Sequence, residues 1–413
     1  MQNLFQKKRL AFSVLILLLL FQLVFSFLFP SVGFNDNWQP ISTYLPKFAI
    51  ENSDNFILGK IYPLISSQYR LNSDIGHYLE LGRNFSAEYF KTSPFLERPL
   101  YPFSIFLFSL PLRLFVEPSY GVIFILAILL NFILASLAVI LFFSLLKGLF
   151  SLKVAWLSSI LLIFSPFMHS FLSQPLAEML MVFGVVLSAW LIYNYVKKPS
   201  VPKLITFSLI IGALMLGKMF FATSFFILLL AISAKRYKEG AAFLLVHLIP
   251  FALWYLWVTN AWGIPYYSHG VQHYSMGTWM FEMVRWPWHE IYLALLNVVP
   301  SFTKALVFSF LLVPVVFSIF GFQKIPFKSK NTIYFGSIFS VFGLGFLIGF
   351  YYLRHVFLLF PIIYPTAVLG MERAADFFGR HRRWYAPLFY AIVIILIILI
   401  SNINLYQIFD YNG

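Results

Sequence analysis

The sequence predicts an all-α fold, a polytopic transmembrane helical bundle of about 11 spans. Three observations predict it. The 413 residues are 61% hydrophobic and only 11% charged, with a mean hydropathy of +0.84. Apolar runs long enough to approach the roughly 20 residues that cross a hydrocarbon core recur along the whole chain. Between these runs the basic residues form short clusters, which is how a membrane protein sets its orientation. Lipid offers the backbone no hydrogen bonds, so the spans must be helices.

The elements follow in order. The start "MQNLFQKKRL", followed by an uncharged run from Ala11, reads as an uncleaved first helix with its N-terminus inside, because the apolar stretch is long and no small-residue cleavage site follows. Further runs cover 99–116, 119–146, 154–170, 176–196, 204–217, 219–234, 241–259, 302–322, 332–353, 356–371 and 384–404. Lys7, Lys8 and Arg9; Lys147 and Lys153; Lys197, Lys198 and Lys203; Lys235, Arg236 and Lys238; Lys324, Lys328 and Lys330; and Arg373, Arg380, Arg382 and Arg383 are eighteen of the 29 Lys and Arg. Their connectors hold only Glu239, Glu372 and Asp376 as acids, which marks them as cytoplasmic. The net charge of +14 is therefore read as topology, not as a nucleic-acid footprint.

The whole chain reads as one membrane domain, 1–413, with a first external loop at 30–98 and a second at 260–301. Two runs separate the first loop from cytoplasmic Lys147, where only one net crossing is allowed. Run 99–116, interrupted by Pro102, Pro111 and Arg113, is therefore expected to lie along or dip into the outer leaflet, the alternative being that the positive-inside rule fails at Lys147 and Lys153. Residues 204–234, centred on Lys218, read as two short helices meeting at the outer side, since a lysine at mid-bilayer is costly.

The polar chemistry concentrates in the first loop, which holds seven of the fifteen acids: Asp36, Glu51, Asp54, Asp74, Glu80, Glu88 and Glu97. Asp74, Tyr78 and Leu81 recur at i, i+4, i+7 and predict a short helix with an acid, a tyrosine and an apolar residue on one face. An amphipathic surface helix with a charge at its N-terminus explains the same pattern. Arg98, in "ERPLYP", stands at the brink of the next run, where a guanidinium can meet a phosphate or simply snorkel to the interface. No cysteine is present, so thiolate chemistry and disulfides are excluded. His269 and His273 have the i, i+4 spacing of metal ligands, with Glu282, His289 and Glu290 downstream, but Gly270 and the surrounding Tyr and Trp favour an interfacial aromatic loop. No cofactor is expected, and a divalent metal there is the alternative.

The ordered set of a first helix, Asp74 and Tyr78, "RPLYP", "SPFMHSFLSQPLAEML", "GALMLGKMF" and "YYLRHVFLLFPIIYP" resembles the GT-C superfamily of polyprenyl-phosphate-sugar-dependent glycosyltransferases. Its relatives include the protein mannosyltransferases and the bacterial lipid A aminoarabinose transferases. The resemblance implies a GT-C-like bundle with short juxtamembrane helices in the first external loop. It implies Asp74 as general base, and Arg98 and Arg354 as ligands of the donor phosphate. Lys218 matches the lysine after the Gly-rich stretch, and Glu178 is the nearest match to an acid that is usually aspartate. Tyr78, Tyr101 and His355 fall on the substrate side of these motifs. The chain departs from the pattern where extra residues separate Asp74 from the first helix and Ile75 occupies the next position, which leaves Asp36 in "FNDNW" as a rival base.

The implied partners are a polyprenyl-phosphate sugar donor, a lipid, glycan or protein acceptor, and the bilayer, with no nucleic acid. The implied setting is a prokaryotic inner or plasma membrane with the active site external. The alternatives are a polytopic transporter and a polymerase or ligase of lipid-linked glycans.

Overall fold

The computed structural model describes residues 2–28, 38–40, 70–72, 74–91, 93, 95–217, 228, 231–232, 235–266, 285–325, 356–379 and 385–402. Among these, five helical stretches are long and apolar enough to cross a membrane: Leu10–Phe27, Tyr120–Leu149, Glu178–Lys197, Tyr237–Ala261 and Phe357–Phe377. Five shorter apolar helices accompany them. The fold is a helical bundle with the spans of a multi-pass membrane protein.

In chain order the elements are α1 (Gln2–Leu28), a ribbon of β1 (Trp38–Pro40) and β2 (Arg70–Asn72), α2 (Asp74–Arg83), α3 (Ala87–Lys91), α4 (Leu100–Arg113), α5 (Tyr120–Leu149), α6 (Leu152–Ile163) and α7 (Pro166–Phe171). Then come α8 (Glu178–Lys197), α9 (Val201–Met215), α10 (Tyr237–His247), α11 (Ile249–Leu256) with a π turn at Trp257–Ala261, α12 (Trp288–Phe310), α13 (Leu312–Phe322), α14 (Phe360–Gly379) and α15 (Tyr385–Asn402). Among the described residues the ribbon is the exception to α structure, antiparallel with Trp38 opposite Asn72 and Pro40 opposite Arg70. Helix α12 opens inside the stretch read as the second loop.

Helix starts follow local chemistry. The Ser151 and Ser165 side chains accept from the backbone N–H of Val154 at 3.2 Å and of Met168 at 3.1 Å. Pro166 takes the first helical position after the latter, where its missing N–H costs nothing.

Side-chain contacts gather the basic connectors at one end of the bundle. Tyr193 donates to the carbonyl of Gly148 at 3.3 Å, joining the ends of α8 and α5. The Tyr195 hydroxyl donates to Glu239, joining α8 to the start of α10. Lys153, at the start of α6, pairs with Glu372 of α14 at 3.7 Å and covers the Tyr390 ring of α15 at 4.0 Å. Lys324 faces Asp376 at 3.7 Å. Phe12 of α1 meets Phe143 edge-on, with centroids 6.0 Å apart, so the Lys7–Arg9 segment belongs to this end too. Exposed ion pairs contribute about 0–1 kcal/mol each, so their information is topological rather than energetic.

Helices α13 and α14 run parallel in the closest packing of the bundle. A Cβ at Gly321 would fall on the carbonyl of Thr366, and one at Gly370 on the carbonyl of Phe317. Two helices at this separation tolerate only hydrogen at the contact. Gly370→Ala is expected to force them apart and cost about 1–3 kcal/mol, read as a lower melting temperature of the purified protein. Gly345 and Gly349 form a GxxxG pattern, which permits close helix packing, but they lie outside the described residues.

Candidate active site

The short helix expected around Asp74 is α2, with Asp74 in its first turn and Arg83 in its last, as the helix dipole favours. Its buried face carries Ile75, Tyr78, Leu79, Leu81 and Gly82. Gly82 admits Ile105 of α4, whose side chain occupies the space a Cβ would need. The last turn is fastened: Arg113 donates to the carbonyl of Arg83 at 2.6 Å, Arg83 pairs with Glu117 at 3.4 Å, and Tyr120 donates to Glu80. Helix α2 is thus seated against protein along one side, with Asp74 itself partly exposed.

Tyr78 lies flat on Phe95, with centroids 4.3 Å apart and planes at 4°, and meets Tyr101 edge-on at 5.2 Å. These are the geometries ring quadrupoles favour. Between Phe95 and Tyr101 comes Arg98, whose Nη2 donates to Glu97 at 3.1 Å, with both side chains mostly buried. Its charge is therefore already engaged by a carboxylate.

Tyr101 is fully buried at the start of α4, and its hydroxyl donates to Asn131 Oδ1 at 2.9 Å. Asn131 Nδ2 donates in turn to the carbonyl of Gln174. Four residues beyond Gln174, Glu178 opens α8 fully buried, close enough that its charge acts on the Tyr101 phenol. The Leu100 N–H donates to the carbonyl of Leu216 at 3.0 Å, and a Cβ at Gly217 would sit 3.2 Å from Leu180 and 3.8 Å from Leu100.

The segments carrying Asp74 and Tyr78, Arg98 and Tyr101, Glu178, and Gly217 therefore meet at one place. Lys218 follows Gly217 directly but lies outside the described residues, as do Arg354, His355, Asp36, His269 and His273. Just beyond Arg354 and His355, Phe357 stacks on Phe167 at 4.0 Å. Phe167 lies in α7, which Gln22 ties to α1 through His169 at 3.2 Å. Trp38, two residues after Asp36, is opposite Asn72, two residues before Asp74.

An aromatic wall closes the loop side of this place. Trp254 Nε1 donates to the carbonyl of Leu96 at 2.9 Å, and Phe90 packs against Trp254 and Trp262 at 5.6 and 5.4 Å. Beyond the π turn, the Tyr266 hydroxyl is buried with no hydrogen-bond partner. Burial first, and the negative charge of Glu97 second, push its phenol pKa upward.

Sequence reasoning missed Asn131, Gln174 and Tyr266. A signal existed for the first: Asn131 is an amide inside a 30-residue apolar helix, where a polar side chain is costly and so calls for a partner.

The level of the site follows from helix lengths. Helix α8 runs 20 residues from Glu178 to the basic end, about 30 Å at 1.5 Å per residue. That is one hydrocarbon thickness. Helix α4, with 14 residues, is about 21 Å long, shorter than one hydrocarbon thickness. Helix α9 ends at this same level, where Leu216 meets Leu100, and the turn expected around Lys218 lies outside the described residues.

No protein-family model matches this chain, and no curated protein matches it in sequence. Among the described residues no three His, Asp or Glu side chains are grouped as a metal site would need.

Proposed function

We propose that this chain is a membrane glycosyltransferase of GT-C type, which moves a sugar from a polyprenyl-phosphate donor to an acceptor hydroxyl on the external face. The observation that carries the reading is the convergence of the Asp74, Arg98, Tyr101 and Glu178 segments about one bilayer thickness from the basic end. If that end is cytoplasmic, as its charge indicates, the site opens at the opposite headgroup level. There a prenyl chain stays in lipid while its phosphate reaches the protein.

In the reaction, the Asp74 carboxylate accepts the proton of the acceptor hydroxyl as its oxygen attacks the anomeric carbon. The new C–O bond forms while the bond to the phosphate oxygen breaks, and the electron pair leaves with the phosphate. Arg98, with Lys218 and Arg354, stabilises the growing negative charge. The Glu97 carboxylate now beside Arg98 would have to yield or share that guanidinium with the phosphate. A single displacement inverts the sugar centre. Tyr78 and Tyr101 form the packed floor on which Arg98 is carried.

The deciding experiment gives the purified protein radiolabelled polyprenyl-phosphate hexoses and measures binding and transfer. Binding of at least one donor supports the reading. A well-folded protein that binds none overturns it and brings the transporter forward. Arg98→Gln is expected to weaken donor binding about 10- to 100-fold, the worth of a charge-assisted hydrogen bond, while Arg98→Lys retains part of it.

A further inference from the structure

A second place with ligand chemistry lies at the basic end, remote from the site above. Helices α8, α9 and α10 diverge there around a cleft walled by Leu204, Phe207, Ile211 and Phe243. At its edge stand Tyr195, Arg236 and Glu239. Glu239 accepts from the Tyr195 hydroxyl and from Arg236 Nη1 at 3.3 Å, so its charge is met within the protein. Arg236 is fixed in turn, since its N–H donates back to the carbonyl of Ala231 at 2.7 Å across a turn in which Lys235 takes a positive φ of 53°. Ala231 and Arg236 thereby face the same cleft from either side of that turn.

We propose that this cleft holds one acyl chain of an anionic phospholipid from the leaflet on the basic side, with the lipid phosphate at Arg236 and the neighbouring lysines. The apolar wall calls for a hydrocarbon chain rather than a polar ligand. The rim calls for an anion: Lys197, Lys198, Lys203, Lys235, Arg236 and Lys238 lie on the three helix ends that form it, against Glu239 alone. Lys203, next to the cleft-lining Leu204, donates to the carbonyl of Lys198 at 3.0 Å and so holds the α8 and α9 ends together. The depth agrees as well, because the cleft lies on the helix ends where headgroups meet the bundle. A cluster of basic residues beside a membrane helix draws acidic lipid, and here a slot for the tail adjoins it. This inference is independent of the glycosyltransferase reading.

The test is native mass spectrometry of the full chain, released from detergent with equal amounts of phosphatidylglycerol and phosphatidylcholine. Retention of one phosphatidylglycerol, preferred about tenfold, is expected. The double variant Lys203→Gln/Lys235→Gln, which alters only side chains at the rim, is expected to bring the two lipids toward parity. Ala231→Phe, which fills the slot, is expected to abolish retention of that lipid while the protein elutes as wild type. Should Ala231→Phe fail to fold, the lysine variant still decides. Equal retention of both lipids by the wild type, or an unchanged preference in the lysine variant, overturns the proposal. So does displacement of the bound lipid by inorganic phosphate, which would make the rim a site for a soluble anion.

Discussion

Asp74→Asn is expected to keep donor binding and to lose about 10²- to 10⁴-fold in turnover, the range a positioned general base supplies. The substitution is nearly isosteric, and asparagine is well suited to a helix start, so α2 should form as before. Its seating depends on Tyr78, Leu79, Leu81 and the Arg83 and Arg113 contacts, none of which the change touches. Loss of turnover without loss of binding would therefore separate chemistry from folding. Single-turnover transfer from a labelled donor is the measurement. Asp36→Asn belongs beside it, because the ribbon ties the segment after Asp36 to the segment before Asp74. A full loss on Asp36→Asn with wild-type turnover on Asp74→Asn would transfer the base to Asp36.

Asn131→Leu is expected to lower both stability and donor affinity. The leucine fits an apolar helix, yet it strands two groups: the Tyr101 hydroxyl and the Gln174 carbonyl. An unpaired buried donor or acceptor costs about 1–3 kcal/mol, so a loss of about 2–6 kcal/mol is expected for the pair. Hydrogen bonds between membrane helices average well below this, about 0.6 kcal/mol. That lower value applies where the unfolded chain finds other partners, whereas Asn131 and Tyr101 are enclosed by protein on every side. Tyr101→Phe should cost less, because it removes the donor and leaves an amide that can still bind Gln174. The double variant should cost less than the sum of the two, as residues of one network do. Melting temperature and donor dissociation constant together test this. An Asn131→Leu protein of wild-type stability and affinity would show that the clamp does not hold the site.

Much of this was legible because it is local. The helix at Asp74 announces itself by a 3.6-residue period with an acid at the start and an arginine at the end. The shortness of α4 goes with the two prolines and the arginine that interrupt run 99–116. The basic end is legible for the same reason, since clusters mark each return of the chain to one side. What escaped is tertiary. Nothing near Asn131 in sequence names Tyr101 or the Gln174 carbonyl as partners. The Gly321–Gly370 contact joins two different helices, whereas a GxxxG pattern is a feature of one. The pairing of Arg98 with the adjacent Glu97 was open to inspection, but the sequence reads the arginine as meeting a phosphate or snorkelling to the interface and not as half of an ion pair. The ribbon was hidden by its brevity, three residues a side with a proline at one edge.

The lengths of the helices between the two ends carry one more consequence. Helix α8 measures about 30 Å, but α9, with 15 residues, measures about 22 Å and α6, with 12, about 18 Å. The apolar girdle is therefore uneven, taller around α8 than around α9. Hydrophobic mismatch on the short side must be relieved by tilt or by a dimple in the lipid. A thin bilayer, near 27 Å, would accept this contour with less deformation than one near 32 Å. Membrane thickness would then govern where in a cell this protein accumulates.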